Sequence, residues 1–216
     1  MGIKERQQRE KEQRYNDIIE AAIRLFSSRG LKKVTMEEIS RECEFSKGAL
    51  YFYFKSKEDL AFAVMDRCYR GYIEMVDARL AGARTGLGKI EAALAGSLEF
   101  FDTRPNLVKI MGYFDYYIDY DFKASYAADP VAIGFRSMIN AYREKLAGII
   151  REGIADGSIR KDVDPAKFIL VYADALLAYM QKFTIREDIL DSAEPYAPRE
   201  LISYMMELIL HSLRPA

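Results

Sequence analysis

A chain of 216 residues, half of them hydrophobic, is long enough for one large or two small domains with filled cores and too apolar to be disordered. Charged residues make up 30% yet leave a formal charge of −1, so the surface is not basic throughout, and two cysteines exclude a disulfide framework. The charge is unevenly placed: residues 1–57 hold 13 Lys and Arg against nine Asp and Glu, a basic head on an acidic remainder.

The opening Met-Gly-Ile-Lys-Glu-Arg lacks the apolar centre of a signal peptide, and Arg6 stands where a myristoylation motif wants a hydroxyl. No apolar run reaches the roughly 18 residues of a membrane span. The expectation is a cytoplasmic protein with no membrane partner and with reduced, buried thiols at Cys43 and Cys68. Residues 1–14 mix Lys4, Arg6, Arg9, Lys11 and Arg14 with Glu5, Glu10 and Glu12, an arm that either frays into solvent or extends the next helix. From Tyr15 to Arg29 the residues Ile18, Ala22, Leu25 and Phe26 recur at helical spacing, and Gly30 supplies a stop.

Two capping signatures follow, since Thr35 with Glu38 and Ser56 with Asp59 each place a hydroxyl three residues before a carboxylate. Between them Ser46 starts a third helix, so a segment from Met36 to about Glu42 is followed after a short turn by one from Lys47 to about Phe52. That is helix-turn-helix spacing. Ile39 and Leu50 are expected to lock the pair, with small Ser40 at the crossing. The second helix then forms an outward ridge. Lys47, Gly48 and Ala49 are short or flexible at its N-terminus, where base edges are approached, while Tyr51, Tyr53, Lys55 and Lys57 offer donors to phosphate.

The run Ser-Lys-Gly-Ala-Leu-Tyr-Phe-Tyr-Phe-Lys-Ser-Lys-Glu-Asp-Leu, within residues 14–60, resembles the DNA-binding domain of the tetracycline-repressor (TetR) family of bacterial transcription regulators. The resemblance implies that Lys47, Gly48, Ala49 and Tyr51 face bases or the adjoining backbone and that Thr35, Tyr53 and Lys57 contact phosphates. Ser46 and Lys55 complete the DNA-binding set. One departure stands in the turn, where Glu44, between Cys43 and Phe45, replaces the family's usual glycine. A left-handed Glu44 costs on the order of 1 kcal/mol.

After Ser56 a helical pattern runs to about Leu80, with Leu60, Val64 and Cys68 on its inner side, and joins head to body without a flexible linker. The body reads as helices near 87–103, 105–120, 131–155, 165–187 and 198–213. An all-α fold is expected: a helix-turn-helix domain over 1–55 and a larger helical effector-binding and dimerisation domain over 56–216. The stretch 168–180 is apolar except Asp174, which asks for cover on every side. Phe168, Tyr172, Ala175 and Tyr179, with Leu201, Met205 and Leu208 of the last helix, are the candidate dimer face, arranged as a four-helix bundle with the symmetry mate. The segment from Tyr113 to Tyr126 is half aromatic. Its tyrosines either pack as core and interface or line a cavity. Phe101, Met111, Tyr113, Phe114, Tyr117 and Tyr172 are the candidate effector contacts; Asp115 and Asp119 form a solvated face or a site for a cation.

His211 is the only histidine, and no catalytic pair, phosphate loop, cofactor fingerprint or metal spacing accompanies it. The expectation is therefore a non-enzyme without cofactor or metal. It is a dimeric regulator that binds palindromic double-stranded DNA, released by a small hydrophobic or aromatic effector. A DNA-binding regulator without effector, and an α-helical enzyme using the aromatic cavity, are the alternatives.

Overall fold

The computed structural model describes residues 2–117, 130–185 and 195–215. Among them the chain is helical without a strand: α1 (Ile3–Arg29), α2 (Met36–Glu42), α3 (Lys47–Tyr53), α4 (Lys57–Leu80), α5 (Gly86–Thr103), α6 (Pro105–Tyr117), α7 (Pro130–Asp156), α8 (Pro165–Ile185) and α9 (Pro198–Leu213). The fold is all-α, with a three-helix head and a larger helical body.

The charged arm is the first gain over the sequence. α1 begins twelve residues before Tyr15, because Arg6 with Glu10 (3.0 Å), Gln8 with Glu12 (2.8 Å) and Gln13 with Asp17 (2.8 Å) pair one turn apart along the exposed surface. Gly30, at φ 76°, ends it. The capping signals act at atomic level. The Thr35 hydroxyl accepts from the Glu38 N–H (3.3 Å) while the Glu38 carboxylate accepts from the Thr35 N–H (2.8 Å). At α4 the Ser56 hydroxyl accepts from the Asp59 N–H (3.0 Å), but the Asp59 carboxylate takes its proton donor from Lys55 (3.0 Å), one residue earlier than a reciprocal box would have it.

One buried cluster runs from Ile18, Phe26, Ile39 and Leu50 in the head through Leu60 and Met65 of α4 to Met111, Met180 and Met206. A second, around Val76, Ile90, Ile150 and Ile169, holds the far end of the body. The head therefore rests on the body through packed side chains rather than through a tether. α4 spans both clusters, and α5 approaches it closely at Gly96, where a Cβ would lie 2.8 Å from the Val76 Cα. Fully buried Leu50 seats α3 in the first cluster, so truncating it to Ala costs about 2–5 kcal/mol.

Candidate nucleic-acid interface and body cavity

α2 and α3 pack across a turn of Cys43, Glu44 and Phe45. Glu44 sits at φ 57°, the left-handed conformation expected where its side chain replaces glycine, and the Phe45 N–H closes the turn on the Ser40 carbonyl (2.9 Å). Ile39, Ser40 and Leu50 are buried at the crossing. With Leu50 inward, the opposite side of α3 faces solvent.

Lys47 and Gly48 are exposed at the start of that face, Ala49 is half-buried, and Ser46 caps the helix by accepting from the Ala49 N–H (3.2 Å). A Cβ on Gly48 would meet nothing within 4 Å, so packing does not require glycine there. Tyr51 is exposed beside Lys47, whose ammonium lies 6.0 Å from its ring. Lys47 also pairs with Glu37 from the first turn of α2. That contact lowers the Glu37 carboxyl below its ordinary value and raises the Lys47 ammonium above its own. Thr35 and Lys55 are exposed at the flanks. Donation from the Thr35 N–H, with Arg29 at 2.8 Å, holds the neighbouring Glu38 carboxyl down at about 2.

Two expected phosphate contacts are partly buried and engaged within the head. Lys57 is turned into the head, where its ammonium donates to the carbonyls of Leu31 (3.1 Å), Val34 (3.3 Å) and Lys32 (3.5 Å) and ties the start of α4 to the loop before α2. Tyr53 is half-buried in a cleft of about 290 Å³ shared with Gln8, Lys11, Tyr15 and Asn16 of α1. Phe52, missed in the sequence, is instead the most exposed aromatic of α3 at 66%, with the Lys11 ammonium 5.9 Å from its ring. The helical arm thus reaches the reading ridge.

In the body, a cavity of about 50 Å³ lies among α4, α5, α7, α8 and α9. Tyr72 and Val76 of α4 form one side, Ser97 of α5 and Tyr142 of α7 carry its polar points, and Phe168 and Tyr172 of α8, stacked at 4.4 Å, form another side. Tyr172 is the one candidate effector contact on this wall. Met111 is fully buried in the first cluster, Phe101 is half-buried against it, and Tyr113 lies against Gly30 at the end of α1. The side chains of Phe114, Asp115, Tyr116 and Tyr117, and the whole of residues 118–129 with Asp119, Tyr120, Phe122 and Tyr126, fall outside the described residues. Tyr72, Ser97 and Tyr142 were missed because they belong to three helices with no common sequence signal. A hydroxyl on each otherwise apolar stripe is the only trace.

The dimer candidates also redistribute. Phe168 and Tyr172 face the cavity, and Tyr179 packs edge-on to Phe183 (5.0 Å). Leu201 and Met205 are half-buried, whereas Ala175 and Leu208 are exposed. On α8 and α9 the large apolar residues left in solvent are Leu170 (52%), Val171 (60%), Tyr204 (59%) and Leu208 (53%). By length and composition α8 also meets the requirement for a membrane span, contrary to the reading of the sequence, while it packs here against α6, α7 and α9. Of the two thiols, which are free, Cys68 is buried and its pKa pushed up to about 12, whereas Cys43 is only half-buried.

Residues 18–64 match the family described as bacterial regulatory proteins, tetR family. Over 156 residues, 70% of each chain, the protein is 29% identical to the HTH-type transcriptional repressor KstR2 of Mycolicibacterium smegmatis. Two solved structures share the fold. One is AibR in complex with isovaleryl coenzyme A and operator DNA, with a TM-score of 0.69 at 19% identity over 90% of this chain and 97% of that one. The other is the fatty acid degradation regulator FadR of Bacillus halodurans, with a TM-score of 0.70 at 16% identity over 93% and 100%.

Proposed function

This chain belongs to the TetR family of bacterial transcription regulators, and from that premise we propose that it is a homodimeric repressor released from a palindromic operator by a small apolar effector. Residues 1–55 form the DNA-binding domain and residues 56–216 the effector-binding and dimerisation domain. The observation that carries the reading is the ridge of α3. Its exposed Lys47, Gly48 and Tyr51 stand clear of the core, and glycine stands where packing has no need of one. Lys47, Gly48, Ala49 and Tyr51 enter the major groove, Thr35, Ser46 and Lys55 meet phosphates, and Lys11 and Phe52 extend the contact. Lys57 and Tyr53 position the ridge from within the head.

The second copy covers Leu170, Val171, Tyr204 and Leu208, which accounts for an α8 that is apolar on both of its faces. A twofold pair then presents its two ridges about 34–36 Å apart, one turn of duplex. AibR is named in complex with isovaleryl coenzyme A, which supports a small-molecule effector for this chain too.

Coupling follows α4. Tyr72 and Val76 border the cavity, while Lys57, about 22 Å away along the same helix, holds the loop before α2. A tilt of about 5° at the cavity moves the head by about 2 Å over that length. An effector that binds better to one head spacing than the other by about 2–3 kcal/mol changes operator affinity about 30- to 150-fold. The test is selection of bound sequences from random duplexes followed by titration of Lys47→Ala. Enrichment of a palindrome that the variant binds more weakly, with the dimer intact, supports the reading; equal affinity overturns it.

A further inference from the structure

Given that the body cavity is where the effector binds, we propose that the group buried there is short, uncharged and apolar and ends in a hydrogen-bond acceptor, such as a ketone, ester or thioester carbonyl, held by the Tyr142 hydroxyl.

The wall settles the charge. Among the described residues it contains no Asp, Glu, Lys, Arg or His; of the nearby ions off the wall, Asp174 pairs with Arg143 (2.7 Å) and Asp77 with Lys145 through Oδ2 (2.7 Å), while Asp77 Oδ1 is buried without a hydrogen-bond partner. A carboxylate or ammonium entering this space loses its water and gains no counter-charge. Asp77, close enough to push the Tyr142 hydroxyl upward, further disfavours an anion.

The donors settle the polarity. The Ser97 hydroxyl donates its one proton to the Ala93 carbonyl (3.0 Å), so in its contact with Tyr72 (2.9 Å) the tyrosine is the donor. Both hydroxyl protons are used. The Tyr142 oxygen is buried with no hydrogen-bond partner among the described residues, and burial raises its pKa, so it keeps its proton and is a buried donor left unmatched. A ligand carbonyl supplies the missing acceptor, and a ligand that brings only a donor does not.

The space settles the size. About 50 Å³ is a third of the roughly 150 Å³ dry cavity that admits six-carbon benzene, so the buried group has no more than about two or three carbons. Any larger part of the ligand lies outside this chamber.

The experiment titrates three small probes, acetone, acetate and ethylammonium, by ligand-detected NMR at neutral pH into the full chain and into Tyr142→Phe. Operator affinity is measured alongside. The hydroxyl has no partner to lose, so the variant melts no lower than the parent. Saturable binding of acetone alone, weakened about 3- to 12-fold in Tyr142→Phe, is expected. Equal binding of either ion, no binding of the ketone, or unchanged affinity in the variant overturns the proposal. Tyr142-dependent ketone binding that leaves operator affinity unchanged supports the chemistry of the chamber and removes its role as the effector site.

Discussion

Replacing Gly48 by alanine should make the protein more stable and a poorer DNA binder. In the structure a methyl group at this position meets nothing within 4 Å, so the folded state bears no steric cost. Glycine in a helix is disfavoured relative to alanine by about 0.5–1 kcal/mol, chiefly through its larger unfolded-state entropy, and this is the stability recovered. For a chain of 216 residues that amounts to about 1–4 °C in Tm. On DNA the same methyl projects from the exposed start of α3, between Lys47 and Tyr51, and holds the ridge off the groove floor. Losing one base contact of about 1–3 kcal/mol lowers operator affinity about 5- to 150-fold. Thermal denaturation at fixed protomer concentration and anisotropy titration of the operator measure the two effects on one sample. A fall in Tm would show that Gly48 has a packing role the geometry lacks. A rise in Tm with unchanged affinity would show that the start of α3 does not approach DNA.

Glu44→Gly relieves a left-handed side chain worth about 1–2 kcal/mol and gives back about 0.5–1 kcal/mol of chain entropy. A net gain of up to about 1 kcal/mol at unchanged urea m-value is expected. Glu37→Gln frees the Lys47 ammonium for phosphate, so non-specific DNA affinity should rise and log K against log salt should steepen by up to about 0.9; a loss of affinity would contradict the pairing. The Glu38 carboxyl is held at about 2, below its ordinary 4.5, so its contribution to head stability is complete above about pH 4.5 and disappears as pH falls toward 2. Glu38→Gln should flatten that window in acid denaturation followed by urea midpoints. Leu208→Glu places a charge twice across the proposed dimer seam and should weaken self-association at least about 100-fold by sedimentation, leaving helix content unchanged.

Local signals were legible wherever neighbours along the chain settle the energetics. Thr35, Ser46 and Ser56 satisfy backbone N–H groups three residues away, so hydroxyl spacing located α2, α3 and α4 to within a residue or so. Glu44 stood out because the resemblance places glycine in that turn, and the structure, at φ 57°, supplies the left-handed conformation that the sequence left open. The arm of α1 stood at the boundary of legibility, since its exposed i, i+4 pairs are worth only a few tenths of a kcal/mol each and do not by themselves decide between helix and coil.

Direction in space was less legible. Lys57 belongs by composition to a phosphate-binding set, yet its ammonium donates to three carbonyls of the loop before α2. Phe168 and Tyr172 read as a dimer face because they are large and apolar, but the packing of α8 against α6, α7 and α9 turns them onto the cavity and leaves Leu170 and Val171 outside.

By itself the order of residues determined an all-helical chain, the starts of α2, α3 and α4 and the exposed ridge of α3, because capping, periodicity and one buried leucine act within a few residues of one another. Only the tertiary arrangement decided which hydroxyls meet in the body and which of them is left without a partner. Tyr72, Ser97 and Tyr142 are tens of residues apart, and the apolar burial that drives their helices together has no direction of its own; the fit of one helix against another supplies it.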